Sequence, residues 1–298
     1  MLMIFFTLAE LKRRFAFGKS QQGKFVHVGM QIEQEEDFTV VAHQRDYAES
    51  IEAVATRTAM KGSVSLSQHR DLRRLVGELL WLSCSTRPDI AVDVSMLGRH
   101  LTEPTLEDIW TANGVLANVK KTAECGLTFK KLNGPLSIAA ITDAAFNNVD
   151  GEGSQAGYVI AICEKQEQCE GPATIPRGTR IESKPVSSCL LSWKSARIQR
   201  VVNSTLAAET MSALGAFDMA SAVRNLFEEV VFGNVRCLHA FSPTEAPHTD
   251  THLKTDCRSM IDSVDSPERT QGETPQAPHR GPARSIATRR AEHNPTHS

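Results

Sequence analysis

Aromatic residues make up only 6% of this 298-residue chain, with two tyrosines and three tryptophans, although the 41% hydrophobic content is ordinary for a globular protein. A dominant charge is also missing. Thirty-three Lys and Arg face 35 Asp and Glu, for a formal net charge of -2, so no global basic field announces a nucleic-acid partner and local patches must carry any such argument. No CxxC pair occurs among seven cysteines, an odd count. That argues against a disulfide framework or a zinc ribbon and for a reducing intracellular compartment, cytoplasmic or nuclear. No apolar run approaches the ~18–20 residues of a membrane span, so no membrane partner is expected. The N-terminal "MLMIFFTLAELKRR" has a short apolar run with no basic residue before it, and a signal peptide is not expected. What the chain does have is length for about two domains.

Residues 1–17 read as the end of a helix that began upstream. "KFVHVGMQIEQ" (24–34) and "FTVVAHQ" (38–44) read as two strands around the acidic turn "EQEED". "RDYAESIEAVAT" (45–56) has a helical period, with Tyr47, Ile51 and Val54 on one face. Residues 68–121 are strongly helical: Leu72, Leu75, Val76, Leu79, Leu80 and Leu82 cluster on one side, Pro88 suits a first turn, and Thr105 is an N-cap candidate. After residue 125 the pattern changes to strands: "CGLTFKKL", "LSIAAITDAA", "QAGYVIAICE" and "CLLSWKS". The polar segment 165–185 reads as a loop. A long helix is predicted over about 204–231, and "HLKTDCRSMIDSV" (252–264) as a strand entering a helix. From Asp265 the chain is rich in Pro, Arg, Ser and Thr and is expected to stay disordered, because it cannot bury enough surface to offset its ordering entropy.

Three carboxylates stand out against this background. Asp143 ends the apolar "LSIAAIT" run, Asp256 ends "HLKTD", and Glu209 lies in the second turn of the long helix among Ala207, Ala208 and Ala213. Small residues let a helix approach a sheet closely. If that helix crosses the strand of Asp143, Glu209 points at the same spot as both aspartates. Taken singly, an Asp after a strand is usually a turn residue and a Glu near a helix start complements the dipole. Jointly they would repel unless protonated or neutralised by a cation. Oxygen ligands without His or Cys point to Mg²⁺ or Mn²⁺. Clustered carboxylates holding two such ions are a standard arrangement for phosphodiester hydrolysis.

"ITDAAF", "LSWKSARIQRVVNSTLAAET" and "LKTDCRSMIDSV" together resemble the ribonuclease H domain of Ty1/copia-type retrotransposon polyproteins. The upstream "LRRLVGELLWLSCSTRPDIAVDVSMLGRH" and the helix after it resemble the connection that follows the reverse transcriptase core. The likeness covers about residues 20–264. It implies a reverse transcriptase thumb/connection remnant over 1–125, an RNase H-like α/β domain over 126–264 with a mixed five-stranded sheet and flanking helices, and a tail over 265–298. It implies that Asp143, Glu209 and Asp256 are catalytic metal ligands for two Mg²⁺ or Mn²⁺ ions and that an RNA/DNA hybrid is the substrate. Upstream polyprotein domains would be supplied elsewhere.

Two departures bear on activity. No Asp-Asp pair of the polymerase type occurs, so polymerase activity is not expected. The family's fourth acidic or His ligand should follow the last strand in a helix, where this chain turns Pro- and Arg-rich. His279, Glu292 and His293 lack that context, and the abrupt change after Val264 looks like a frameshift or mis-joined exon. The alternative is therefore a non-catalytic nucleic-acid-binding module or an unselected transposon relic. For substrate contacts, Lys184, Lys194, Arg197 and Arg200 surround Trp193 as a basic edge suited to a nucleic-acid backbone. Asn203, Ser204 and Thr205 could reach sugars and phosphates, while Trp193 read alone is core and Asn203 or Ser204 an N-cap. Cys237, His239, His248 and His252 fit no standard zinc spacing, and no serine sits in a nucleophile motif.

Overall fold

The computed structural model describes residues 21–56, 63–149, 153–165, 186–232 and 249–265. The expected N-terminal helix, most of the 165–185 loop with Lys184, the Cys237–His248 stretch and the tail with His279, Glu292 and His293 lie outside them. Four antiparallel strands open the fold in the order β1 (Lys24–His27), β2 (Met30–Gln34), β3 (Val40–His43) and β4 (Gly126–Phe129). The run 24–34, expected as one strand, is itself a hairpin. It folds at Val28 and Gly29, whose φ values are 49° and 77°. Glycine takes that left-handed conformation without strain.

Helices α1 (Arg45–Ser50), α2 (Leu66–Ser85), α3 (Ala91–Arg99) and α4 (Leu106–Lys121) lie between β3 and β4 in the chain, with a 3₁₀ turn at Pro88–Ile90. The helix expected over 45–56 stops at Ser50. Beyond it the Asn113 side-chain amide takes both backbone groups of Val54, accepting its N–H and donating to its carbonyl at 2.9 Å each, so Ile51 and Val54 stay buried without helical bonds. Helices α2 and α4 each start with a capping box, Ser65 with Gln68 and Thr105 with Asp108. The leucine stripe of α2 (Leu72, Leu75, Leu79, Leu82) packs against Ile109, Ala112, Leu116 and Val119 of α4. In "STRPDIA" the Arg87 guanidinium is 3% exposed. It donates to both Asp89 carboxylate oxygens, to the carbonyls of Val119 and Thr122, and to the Thr122 hydroxyl. All five N–H donors are thereby used, and the C-terminus of α4 is tied to the start of the 3₁₀ turn.

The second sheet is mixed, with order β7 (Ser188–Arg197), β6 (Gly153–Glu164), β5 (Leu136–Val149), β8 (Asp250–Lys254). β5 runs antiparallel to β6 and parallel to β8. It has four strands among the described residues, where five were expected. The strand in "CGLTFKKL" pairs with β3, so β4 closes the first sheet instead of joining the second. Helix α5 (Thr205–Phe232) lies across one face, with Ala216 and Ala220 packed on Ile138, Ala140 and Ile160. Helix α6 (Arg258–Asp265) follows β8. The helical layer meets the far side of this sheet. Trp193 of β7 donates its indole N–H to the Ser83 carbonyl at 2.8 Å, and Gln155 of β6 donates to Ser95 at 3.0 Å and Ser195 at 2.7 Å.

Candidate metal centre

Parallel register brings the two aspartates level. Ile141 pairs with Lys254 across β5 and β8, so two residues further along stand Asp143, still within β5, and Asp256, just past the end of β8. The side chains of neighbouring strands are about 4.8 Å apart in this direction. Asp143 does not end its strand, as the sequence suggested. β5 continues to Val149 because β6 goes on pairing with it, through Ala145↔Gln155 and, past a bulge, Val149↔Gly153. It is β8 that stops at Lys254, and this leaves the β5 edge beside Asp143 open.

Helix α5 delivers the third carboxylate. Ala208 is fully buried against Ala144 and Ile198, and Ala213, Ala216 and Ala220 continue the small-residue face along the helix. Ser212, one turn after Glu209, registers the helix on the strands. Its hydroxyl is bonded to Thr142 Oγ1 at 2.7 Å and lies 2.9 Å and 3.1 Å from the carbonyls of Asp143 and Gly157. Glu209 thereby reaches the open edge, and carboxylate oxygens of Asp143, Glu209 and Asp256 all lie within 4.8 Å of one another. The sequence alone missed Ser212; its i+3 spacing from Glu209 was the available signal.

Glu209 is 5% exposed, and its Oε2 has no hydrogen-bond partner among the described residues. Asp143 and Asp256 are exposed, and Asp143 accepts the Ala144 N–H at 2.8 Å. The Glu209 carboxyl is held above the usual carboxylate range, first by burial and then by the charges of Asp143 and Asp256; the Ala144 amide offsets part of this. A buried carboxylate oxygen without a donor, facing two more carboxylates, is what a cation would satisfy. The donor set is all oxygen, which suits a hard divalent ion. This triad could hold a metal ion.

The expected nucleic-acid contacts divide. Lys194, Arg197, Arg200, Asn203 and Thr205 are exposed. Arg197, Arg200 and Asn203 line a cavity of about 670 Å³ with Phe146 and Gly153. Lys194 lines a smaller one of about 380 Å³, shared with Asp143, Ile141 and Trp193. Ser204 is the N-cap of α5, its hydroxyl accepting the Ala207 N–H at 3.1 Å. Trp193 is half-buried, its indole N–H donating to the Ser83 carbonyl of α2.

Fold and site define a mixed α/β protein with a three-carboxylate cluster able to hold a metal ion. No protein-family model matches the chain, and no curated protein matches it in sequence.

Proposed function

We propose that this chain carries a retroelement-derived, RNase H-like site that hydrolyses the RNA strand of RNA/DNA hybrids with Mg²⁺ or Mn²⁺, using two ions. The observation that carries the reading is the convergence of Asp143, Glu209 and Asp256 from two parallel strands and a crossing helix, with a buried Glu209 oxygen that lacks a donor. The three carboxylates would be the ion ligands. Bound ions would supply an activated water and neutralise charge on the leaving oxygen. Exposed Lys194, Arg197 and Arg200 offer charge to a phosphate backbone, and Asn203 and Thr205 offer hydrogen bonds to it. Ser212 and the alanine face of α5 hold Glu209 in place. Polymerase activity is not part of the reading, since no Asp-Asp pair occurs in the sequence.

A second reading is a binding module without catalysis. It is favoured by the size of the cluster, which has three ligands among the described residues where the resemblance implies four. A labelled RNA/DNA hybrid with Mg²⁺ or Mn²⁺ separates the two. RNA-strand cleavage that disappears in Asp143→Asn supports the enzyme. Absence of cleavage by folded protein removes the catalytic reading, and salt-sensitive retention of the hybrid would then identify the binding module.

A further inference from the structure

The two edges of the mixed sheet differ. The β7 edge is held by other parts of the chain. Trp193 bonds to Ser83 of α2, and the Cys189 thiol lies 3.5 Å from the Lys130 carbonyl, just past β4. At the other edge β8 pairs only with β5 among the described residues, and Asp250, His252, Leu253 and Lys254 are all exposed. An open edge is a template for another strand.

We propose that β8 pairs antiparallel with β8 of a second copy of this chain, about a two-fold axis at His252. The strand reads Asp250-Thr251-His252-Leu253-Lys254. In that register each Asp250 stands opposite the partner copy's Lys254, each Thr251 opposite a Leu253, and the two His252 side chains meet on the axis. Opposite charges directly across antiparallel strands attract, and like charges repel. Natural edges are often protected by charge, but these charges are self-complementary and do not protect against this register. Moving the axis one residue to Leu253 would put Asp250 against Asp256 of the other copy, a like-charge pair that disfavours the slip. Asp250 already bonds Lys165 through Oδ2, at 2.5 Å, which leaves Oδ1 for Lys254 across the axis.

The layers around β8 agree with this pairing. Thr251 and Leu253 lie level with Ile138 and Ala140, the β5 residues that face α5. On that side Glu228 of α5 accepts the Thr249 N–H at 2.9 Å, and one turn on are Val231 and Phe232, 39% and 45% exposed. A second copy would extend this layer and cover apolar surface beside the joined strands. The result is one continuous eight-stranded sheet with an isologous interface. Asp256, two residues beyond Lys254, would gain a strand anchored on both sides.

Sedimentation of the full chain over a concentration series tests the pairing, with no dependence on nuclease activity. The expected species is a dimer of twice the 32.7 kDa chain mass. Lys254→Asp places two aspartates opposite each other and should raise the dissociation constant at least tenfold. The double variant Asp250→Lys with Lys254→Asp restores opposite charges across the axis and should recover the dimer. A chain that stays monomeric throughout overturns the proposal. So does a dimer insensitive to Lys254→Asp, or a double variant no better than the single, each folded by circular dichroism.

Discussion

Replacing Glu209 by Gln separates stability from metal binding. In metal-free protein Glu209 faces two like charges within 4.8 Å. Each pair costs about 3.5 kcal/mol at an effective dielectric of ~20 and about 0.9 kcal/mol in water. Asp143 and Asp256 are exposed, so the cost lies towards the lower end, about 1 kcal/mol per pair and about 2 kcal/mol in total. Gln removes this repulsion, and its amide can donate to either aspartate. Metal-free Glu209→Gln should therefore melt about 4–8 °C above wild type at neutral pH. The sign with pH follows from the raised Glu209 pKa. The folded state holds the Glu209 proton more tightly than the unfolded state, so this group's contribution to stability is fully present below about pH 4.3 and is lost as pH rises from there through the folded pKa. Gln abolishes that decline. Divalent ions reverse the order: at 100 times its dissociation constant a ligand adds about 2.7 kcal/mol to wild type, and the variant, one ligand short, gains less. Calorimetry with chelator and with Mg²⁺ at two pH values reads all of this. A metal-free variant less stable than wild type at neutral pH, or equal Mg²⁺ responses, would refute the argument.

Two further substitutions probe how the site and its support are held. Ser212→Ala removes the hydroxyl that joins Thr142 and the carbonyls of Asp143 and Gly157; it should cost about 1–2 kcal/mol in denaturant unfolding and weaken Mn²⁺ binding measured by titration calorimetry. Arg87→Ala strips five donated hydrogen bonds from Asp89, Val119 and Thr122 and should cost about 2–4 kcal/mol, read as a lower urea midpoint with unchanged slope.

Local signals were legible wherever a few neighbouring residues decide the outcome. Thr105, an N-cap candidate from its place before the helical run, does cap α4, accepting the Asp108 N–H. The alanines around Glu209 mark a helix that lies close to a sheet, and α5 does so through Ala208, Ala216 and Ala220. Other features were hidden because distant partners set them. Residues 51–56 have a helical period, but the Asn113 amide, 59 residues from Val54, takes the backbone bonds that a helix would have used. The burial of Arg87 was equally out of reach of local sequence, because its acceptors at Val119 and Thr122 lie 32 and 35 residues away.

The chain's own order of residues determined which carboxylates stand out, that 68–121 is largely helical, and where α5 carries its small face. Those properties depend on periodicity, side-chain volume and capping chemistry within one element. Tertiary structure alone decided that β4 joins β3, that β5 runs on past Asp143, and that β8 stops at Lys254 with its outer edge unpaired among the described residues. Strand pairing is chosen by partners far apart in the chain, and the distance between two carboxylates follows from register. The register of β5 with β8 and the seat of Ser212 under α5 bring three acidic residues, separated by 66 and 47 positions, to one open edge.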